Sequence, residues 1–112
     1  MELYDELEKK NRQLDACIRM LRKSGTEWAE AERTYNVTKH DACLRLKDKG
    51  MAVGLIEMIH KGIKEVANAR FKMQVAEVTY KANQEAVMAV KLQLRLIEKQ
   101  IDREYSRPQA DM

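Results

Sequence analysis

Hydrophobic side chains recur every seven residues through the second half of this chain. One series starts at Val66 and a second starts three residues later at Ala69, and both continue in register for six heptads. The series are Val66, Met73, Tyr80, Val87, Leu94, Ile101 and Ala69, Ala76, Asn83, Val90, Ile97, Glu104. Because no Gly or Pro interrupts them, the pattern predicts one coiled-coil-like helix over about residues 63–105, roughly 65 Å long at about 1.5 Å per residue.

The N-terminal part predicts two shorter helices. Leu7, Leu14 and Leu21 are spaced by seven and indicate a helix over about residues 3–23. Gly25 suits a left-handed helix cap, and Ser24 with Glu27 has the spacing of a capping box. We therefore expect a break here, with a second helix over about residues 27–49 folding back to form an antiparallel hairpin.

The second helix has a weaker apolar stripe. Its members are Trp28, Ala31, Tyr35, Thr38, Ala42 and Leu46. Trp28 and Tyr35 are interpreted as anchors of the hairpin on the long helix, with an exposed partner-binding spot as the alternative. Gly50 is the predicted stop, residues 50–62 are expected to form a turn with a short helix, and residues 106–112 a flexible tail.

The long helix carries a second apolar line. It consists of Phe71, Val75, Val78, Ala82, Ala86, Ala89, Leu92 and Leu96. A helix that is apolar on two sides must be covered on two sides, and the predicted hairpin covers only about half of its length. The sequence therefore predicts an all-α fold that forms a dimer or higher oligomer. The candidate oligomer seam is Val87, Val90, Leu94, Ile97 and Ile101.

Composition agrees with a single helical domain over residues 1–105. The 112 residues are 35% charged and 45% hydrophobic, and only 5% are aromatic, which is typical of long helices. No apolar run approaches the ~18 residues of a membrane span, and the acidic N-terminus has no apolar signal core. We expect a cytoplasmic protein without membrane contact, in which Cys17 and Cys43 are reduced.

Residues suited to catalysis or metal binding are sparse. His40 and Cys43 share a helical face, and Cys17 and His60 could approach them, but a structural zinc site normally has paired ligands on two segments. No nucleophile lies in a strand-turn-helix context, and the glycines lack a phosphate-loop lysine. The sequence predicts no catalytic residue, no metal site and no cofactor, and hence a protein that is not an enzyme.

Basic charge is concentrated in the middle of the chain. Residues 39–72 contain eight Lys and Arg against four Asp and Glu, whereas the whole chain has a net charge of only +3. Such a surface could bind phosphates or an acidic protein, and a merely solvated basic end is the simpler alternative. The candidate partner or nucleic-acid contacts are Lys47, Lys49, Lys61 and Lys64.

Four segments of the chain form a characteristic set: residues 44–48 (Leu-Arg-Leu-Lys-Asp) with Gly50, residues 62–67 (Gly-Ile-Lys-Glu-Val-Ala), residues 80–86 (Tyr-Lys-Ala-Asn-Gln-Glu-Ala) and residues 91–98 (Lys-Leu-Gln-Leu-Arg-Leu-Ile-Glu). In these segments the chain resembles a small, uncharacterised all-helical family of phages and prophages of Gram-positive bacteria. The similarity covers about residues 18–105. It departs at residues 52–54, where relatives tend to have Pro-Val-Thr, and at Tyr105, where Trp is common. The resemblance implies a phage origin and action inside the host cell, and it brings no catalytic residues.

These observations favour a non-enzymatic phage-encoded interaction protein. It would sterically inhibit or adapt a nucleic-acid-handling protein, either a host defence effector or a phage replication factor. One alternative is a DNA-binding accessory protein of phage recombination or replication, and another is a structural virion component. The expected partners are a second copy of the chain, a host or phage protein that handles nucleic acid, and DNA itself under the first alternative.

Overall fold

A computed structural model describes residues 2–105, and the predicted tail at 106–112 lies outside them. The fold is all-helical, with α1 over Glu2–Asp48, α2 over Val53–Ile59, a 3-10 turn over His60–Gly62 and α3 over Lys64–Tyr105. No strand occurs between residues 2 and 105. The short helix and the long C-terminal helix lie where the sequence pattern predicts them.

The predicted break between residues 23 and 27 is wrong, because α1 continues through it without interruption. The expected hairpin of two helices, 3–23 and 27–49, is therefore one helix. Ser24 is only 3% exposed and faces the core instead of capping a new helix. The physical reason is packing: the series Leu7, Leu14, Leu21 continues at Trp28, Tyr35 and Ala42, and burial of that continuous stripe outweighs local capping preferences.

Gly50 does end a helix. Its φ is +88°, the only positive φ among the described residues. The Gly50 amide donates to Lys47 O at 2.9 Å and the Met51 amide donates to Leu46 O at 3.1 Å. This pair of bonds is the Schellman motif, which satisfies carbonyls that the last turn of a helix leaves unpaired.

The predicted heptad series of α3 forms its buried face. Val66, Ala69, Val87, Val90, Leu94 and Ile97 are all at most 9% exposed, and the other members are half-buried apart from the exposed Glu104. The second apolar line lies outside this face. Its large members Phe71, Val75, Val78, Leu92 and Leu96 are 50–68% exposed.

The chain divides into two compact units, and both long helices contribute to each. The first unit comprises Met1–Arg22 with Ala82–Met112. Here α1 covers the face of α3 that contains Val87, Val90, Leu94, Ile97 and the half-buried Ile101. The sequence pattern predicts these five residues as the oligomer seam, and that prediction is wrong because the chain buries them against its own N-terminal helix.

Polar contacts also join the two helices of the first unit. The Asn83 amide Nδ2 lies 3.5 Å from the Met20 carbonyl oxygen. The Tyr4 and Tyr105 rings meet edge-on with centroids 5.9 Å apart, and a hydrogen bond with Tyr4 raises the pKa of the Tyr105 phenol. The first and last described turns of the chain are thus in contact.

The second unit, Lys23–Lys81, contains the helical turn. Val66 is fully buried there, and Ala42, Ile56 and Ala69 are at most 8% exposed. The Trp28 and Tyr80 rings pack with centroids 5.4 Å apart, which supports the interpretation of Trp28 as a packing anchor. The two helices also approach closely at Gly25, where a Cβ atom would lie 3.1 Å from the Tyr80 ring.

Candidate binding groove at the helical turn

A groove opens in the second unit between the end of α1 and the connector that follows it. We call it the turn groove, and its volume is about 650 Å³. Its lining consists of Lys39, His40, Cys43, Leu44 and Lys47 from α1 and of Val53, Ile56, Glu57, His60 and Lys61 from the connector. The Schellman turn at Gly50 reverses the chain, so that α2 folds back beside the last turns of α1.

The apolar part of the turn groove is accessible to solvent. Leu44 is 47% exposed and Val53 is 58% exposed, while Ile56, which also lines the groove, is 5% exposed and packs α2 on the core. Exposed apolar side chains in a concavity are the usual basis of a protein-binding surface. The groove can therefore bury apolar groups of a partner without any change in the helices.

The charged part of the turn groove is basic. Lys39, Lys47 and Lys61 line it against one carboxylate, Glu57. Among residues 2–105, neither Lys47 nor Lys61 forms an ion pair. The Lys39 Nζ lies 6.0 Å from the centre of the Tyr35 ring, a weak cation–π contact. The lysine charges are thus available to a ligand that carries carboxylates or phosphates.

Arg45 adds little free charge to this region. Its Nη2 donates to Glu65 Oε2 at 2.6 Å, which links α1 to the first turn of α3. This hydrogen bond, together with the charge of Glu65, raises the pKa of the Arg45 guanidinium. Both side chains are 59% exposed, so solvent screens the pair and limits its contribution to stability.

His60 forms part of the groove wall and is the buried titratable side chain of this unit. It is 7% exposed, and its Nδ1 lies 3.1 Å from the Ile56 carbonyl oxygen. Because a carbonyl oxygen only accepts, Nδ1 carries the proton and donates it. The other ring nitrogen, Nε2, is also buried, and it forms no hydrogen bond with any described residue.

The predicted contact residues separate into two pairs. Lys47 and Lys61 line the turn groove, whereas Lys49 and Lys64 are exposed outside it. Sequence reasoning missed Leu44, Val53 and the orphaned nitrogen of His60 as parts of the site. The sequence did contain a signal for Leu44, because His40, Leu44 and Lys47 have the i, i+4, i+7 spacing of one helical face.

The residues that sequence analysis weighed as metal ligands do not assemble. His40, Cys43 and His60 all line the turn groove, yet within the described part of the chain no three His, Cys, Asp or Glu side chains are placed to hold a metal ion. Cys17 and Cys43 are both free.

Comparison with known proteins leaves the resemblance to the phage family without independent support. No protein-family model matches the chain, no curated protein is significantly similar to it, and no solved structure shares its fold at a significant level. The described helices include none with the length and apolar character that crossing a bilayer requires.

Proposed function

We propose that this chain is a non-enzymatic, phage-encoded interaction protein of the host cytoplasm. It docks on a protein that handles nucleic acid, either a host defence effector or a phage replication factor, and inhibits or adapts that protein sterically. The phage origin and the class of partner rest on the family resemblance. The mode of action rests on the geometry of the turn groove.

One observation supports docking above all others: unpaired lysines and exposed apolar side chains lie in the same groove. Lys47 and Lys61 lack ion-pair partners among the described residues, and Leu44 and Val53 beside them are about half exposed. Protein interfaces combine an apolar centre with a polar rim in this way. The helices that form the groove are already in place, so docking needs little rearrangement.

The test is affinity purification of the tagged full chain from infected cells, with and without nuclease treatment. We expect a nucleic-acid-handling protein to co-purify in both conditions, to be lost with Lys47→Glu plus Lys61→Glu, and to be retained with Lys49→Glu plus Lys64→Glu. The second pair changes the net charge equally outside the groove. A partner that disappears with nuclease would contradict direct docking on a protein.

The basic excess of residues 39–72 favours one second candidate, a DNA-binding accessory protein of phage recombination or replication. Under that function all four lysines would contact phosphates, and affinity for DNA would fall steeply as salt increases. A gel-shift titration at several salt concentrations measures this. Loss of the shift in both lysine-pair variants would favour DNA binding, whereas no shift at low salt would exclude it.

We also propose that two copies associate through the second apolar line of α3. In the second unit, Phe71, Val75 and Val78 are 57%, 50% and 68% exposed, and their i, i+4, i+7 spacing makes one stripe that a second copy can cover. Light scattering over a concentration series should give a dimer, and Phe71→Asp plus Val75→Asp should give a folded monomer. Met58→Asp, at an apolar side chain 80% exposed on α2, is the control expected to remain dimeric.

A further inference from the structure

We infer that the turn groove binds an acidic amphipathic helix of the partner protein, with apolar side chains of that helix on Leu44 and Val53 and its carboxylates on Lys39, Lys47 and Lys61. This inference rests on the proposed function and names the kind of segment recognised. It separates a protein ligand from nucleic acid, which carries the same sign of charge.

The charge of the turn groove determines the sign of the charge that its ligand carries. Three lysines and one glutamate line the groove, and the neighbouring Arg45 is already paired with Glu65 at 2.6 Å. The unpaired charge of the groove is therefore positive. A ligand with carboxylates on its flanks is attracted and oriented, and a basic ligand is repelled.

Apolar content selects a peptide over nucleic acid. Leu44 and Val53 are the accessible apolar surface of the groove, whereas a nucleic-acid backbone presents mainly charged phosphates and polar sugar oxygens to a protein. Non-specific single-strand sites instead stack bases on aromatic rings, and the lining of this groove contains no Phe, Tyr or Trp side chain. Leu, Ile or Met side chains of a peptide would bury the same surface favourably.

Length and shape favour a helical ligand. The α1 wall runs from Lys39 to Lys47, which is about 12 Å at ~1.5 Å per residue. Apolar side chains spaced i, i+4 and i+7 on a partner helix span about the same distance, and this is how amphipathic helices dock in grooves. With about 650 Å³ of space, the groove takes a few side chains, so affinity in the micromolar range is expected from this contact alone.

The inference is tested with labelled peptides and the full chain. The probe is an amphipathic peptide with Leu at i, i+4 and i+7 and Glu on both flanks. Its controls are a scrambled peptide of identical composition, a version with Lys in place of Glu, and a single-stranded DNA oligonucleotide. Fluorescence anisotropy should show that the acidic amphipathic peptide binds at least tenfold more tightly than each control. Its affinity should decrease as salt rises from roughly 0.1 M to 1 M, because the Debye length contracts from about 10 Å to about 3 Å.

Matched variants locate the contact. Lys47→Glu plus Lys61→Glu should raise the Kd for the acidic peptide at least tenfold, and Lys49→Glu plus Lys64→Glu should change it less than threefold. For the apolar contact, Leu44→Ser should weaken binding, while Val37→Ser, at a residue 53% exposed on α1 outside the groove, should not. All of these side chains are solvent-accessible, and circular dichroism would confirm that each variant remains helical.

Three results would overturn the inference: equal binding of the scrambled peptide, tighter binding of the oligonucleotide, or equal losses in the two lysine-pair variants. Its failure is distinguishable from failure of the proposed function. A cellular partner that survives nuclease and is lost with Lys47→Glu plus Lys61→Glu, from a chain that does not bind the acidic peptide, would keep the proposed function and show that the groove recognises another kind of segment. Binding of the acidic peptide without any nuclease-resistant cellular partner would support the inference about the groove and contradict the proposed function.

Discussion

Gly50 shows how a single residue positions the candidate site. Its φ of +88° lies in a region where a Cβ atom meets the following carbonyl, at a cost of about 1–2 kcal/mol. A Cβ added there has no neighbour within 4 Å, so the backbone conformation is the only source of strain. Gly50→Ala is expected to lower the free energy of unfolding by about 1–2 kcal/mol, measured by urea denaturation.

Gly54→Ala is the matched control for this prediction. Gly54 lies in α2, has no positive φ and also has open space around its Cα. Because Ala is a better helix former, this change should leave stability equal or raise it by up to about 1 kcal/mol. Equal losses for Gly50→Ala and Gly54→Ala would contradict the left-handed cap at the end of α1.

His60 gives a second prediction at the scale of one residue. Its Nε2 is buried with no hydrogen-bond partner among the described residues, which costs about 1–3 kcal/mol for a desolvated polar group. Removing the ring also removes the Nδ1 bond to Ile56 O, but that carbonyl keeps the backbone amide of His60 as a donor. His60→Leu should therefore preserve the free energy of unfolding or raise it by about 1 kcal/mol.

The control for His60 is an exposed histidine on α1. His40→Leu removes a ring whose side chain is 74% exposed, and substitutions at such positions usually change stability by less than about 0.5 kcal/mol. A loss of more than about 2 kcal/mol for His60→Leu alone would indicate that Nε2 has a hydrogen-bond partner in solution.

The elements of this fold differ in how well their sequence predicts them. In α3, uninterrupted heptads and the absence of Gly and Pro all indicate one helix, and the structure confirms it. In α1, local and long-range signals conflict at Ser24 and Gly25. Local capping preferences contribute about 1 kcal/mol, whereas the buried stripe of α1 continues through both residues. Following the seven-residue series past Ser24 and Gly25 would therefore have predicted a single helix.

The close approach at Gly25 leads to a prediction about the helix pair. Ala in a helix interior is favoured over Gly by about 0.8–1 kcal/mol, but the new Cβ would lie 3.1 Å from the Tyr80 ring. Gly25→Ala should therefore raise the free energy of unfolding by less than that amount in the unmodified chain, or lower it. In a chain with Tyr80→Ala, the same change should give the full gain.

A double-mutant cycle on Gly25 and Tyr80 measures this difference as a coupling energy. Gly25 and Tyr80 belong to the same unit, so the cycle reports their direct contact. Thermal or urea denaturation of the four proteins supplies the values. Additive effects within about 0.3 kcal/mol would mean that glycine is not needed for the approach of α1 to α3.

At the scale of the whole molecule, charge was easier to predict than shape. The excess of lysine between residues 39 and 72 can be counted in the sequence, and two of the four nominated lysines do line the turn groove. The groove itself exists because α2 folds back onto α1 after Gly50. The number of residues in the connector does not determine that placement, which depends on burial of Ile56 and His60 against the core.

The length of α1 decides which apolar line of α3 is buried within the chain and which is left for another molecule. Two short helices would have left half of α3 uncovered, whereas the 47 residues of α1 provide a covering helix in both units. The line that contains Leu94 and Ile97 is therefore core, and the line that contains Leu92 and Leu96 is the surface available to another molecule. The two pairs lie on one helix within the first unit, which permits a direct test.

Leu94→Asp plus Ile97→Asp should unfold the chain, whereas Leu92→Asp plus Leu96→Asp should leave it folded. Leu94 and Ile97 are 6% and 9% exposed, so each carboxylate would enter a packed seam, while Leu92 and Leu96 are 54% and 56% exposed. An unpaired buried charge costs several kcal/mol. The cost of two such charges is comparable with the ~5–15 kcal/mol that stabilises a typical domain. Circular dichroism during urea denaturation measures the stability of the two double variants. Similar losses of stability in both would mean that the two apolar lines are equally buried, and would contradict the assignment of Leu94 and Ile97 to the core of a single chain.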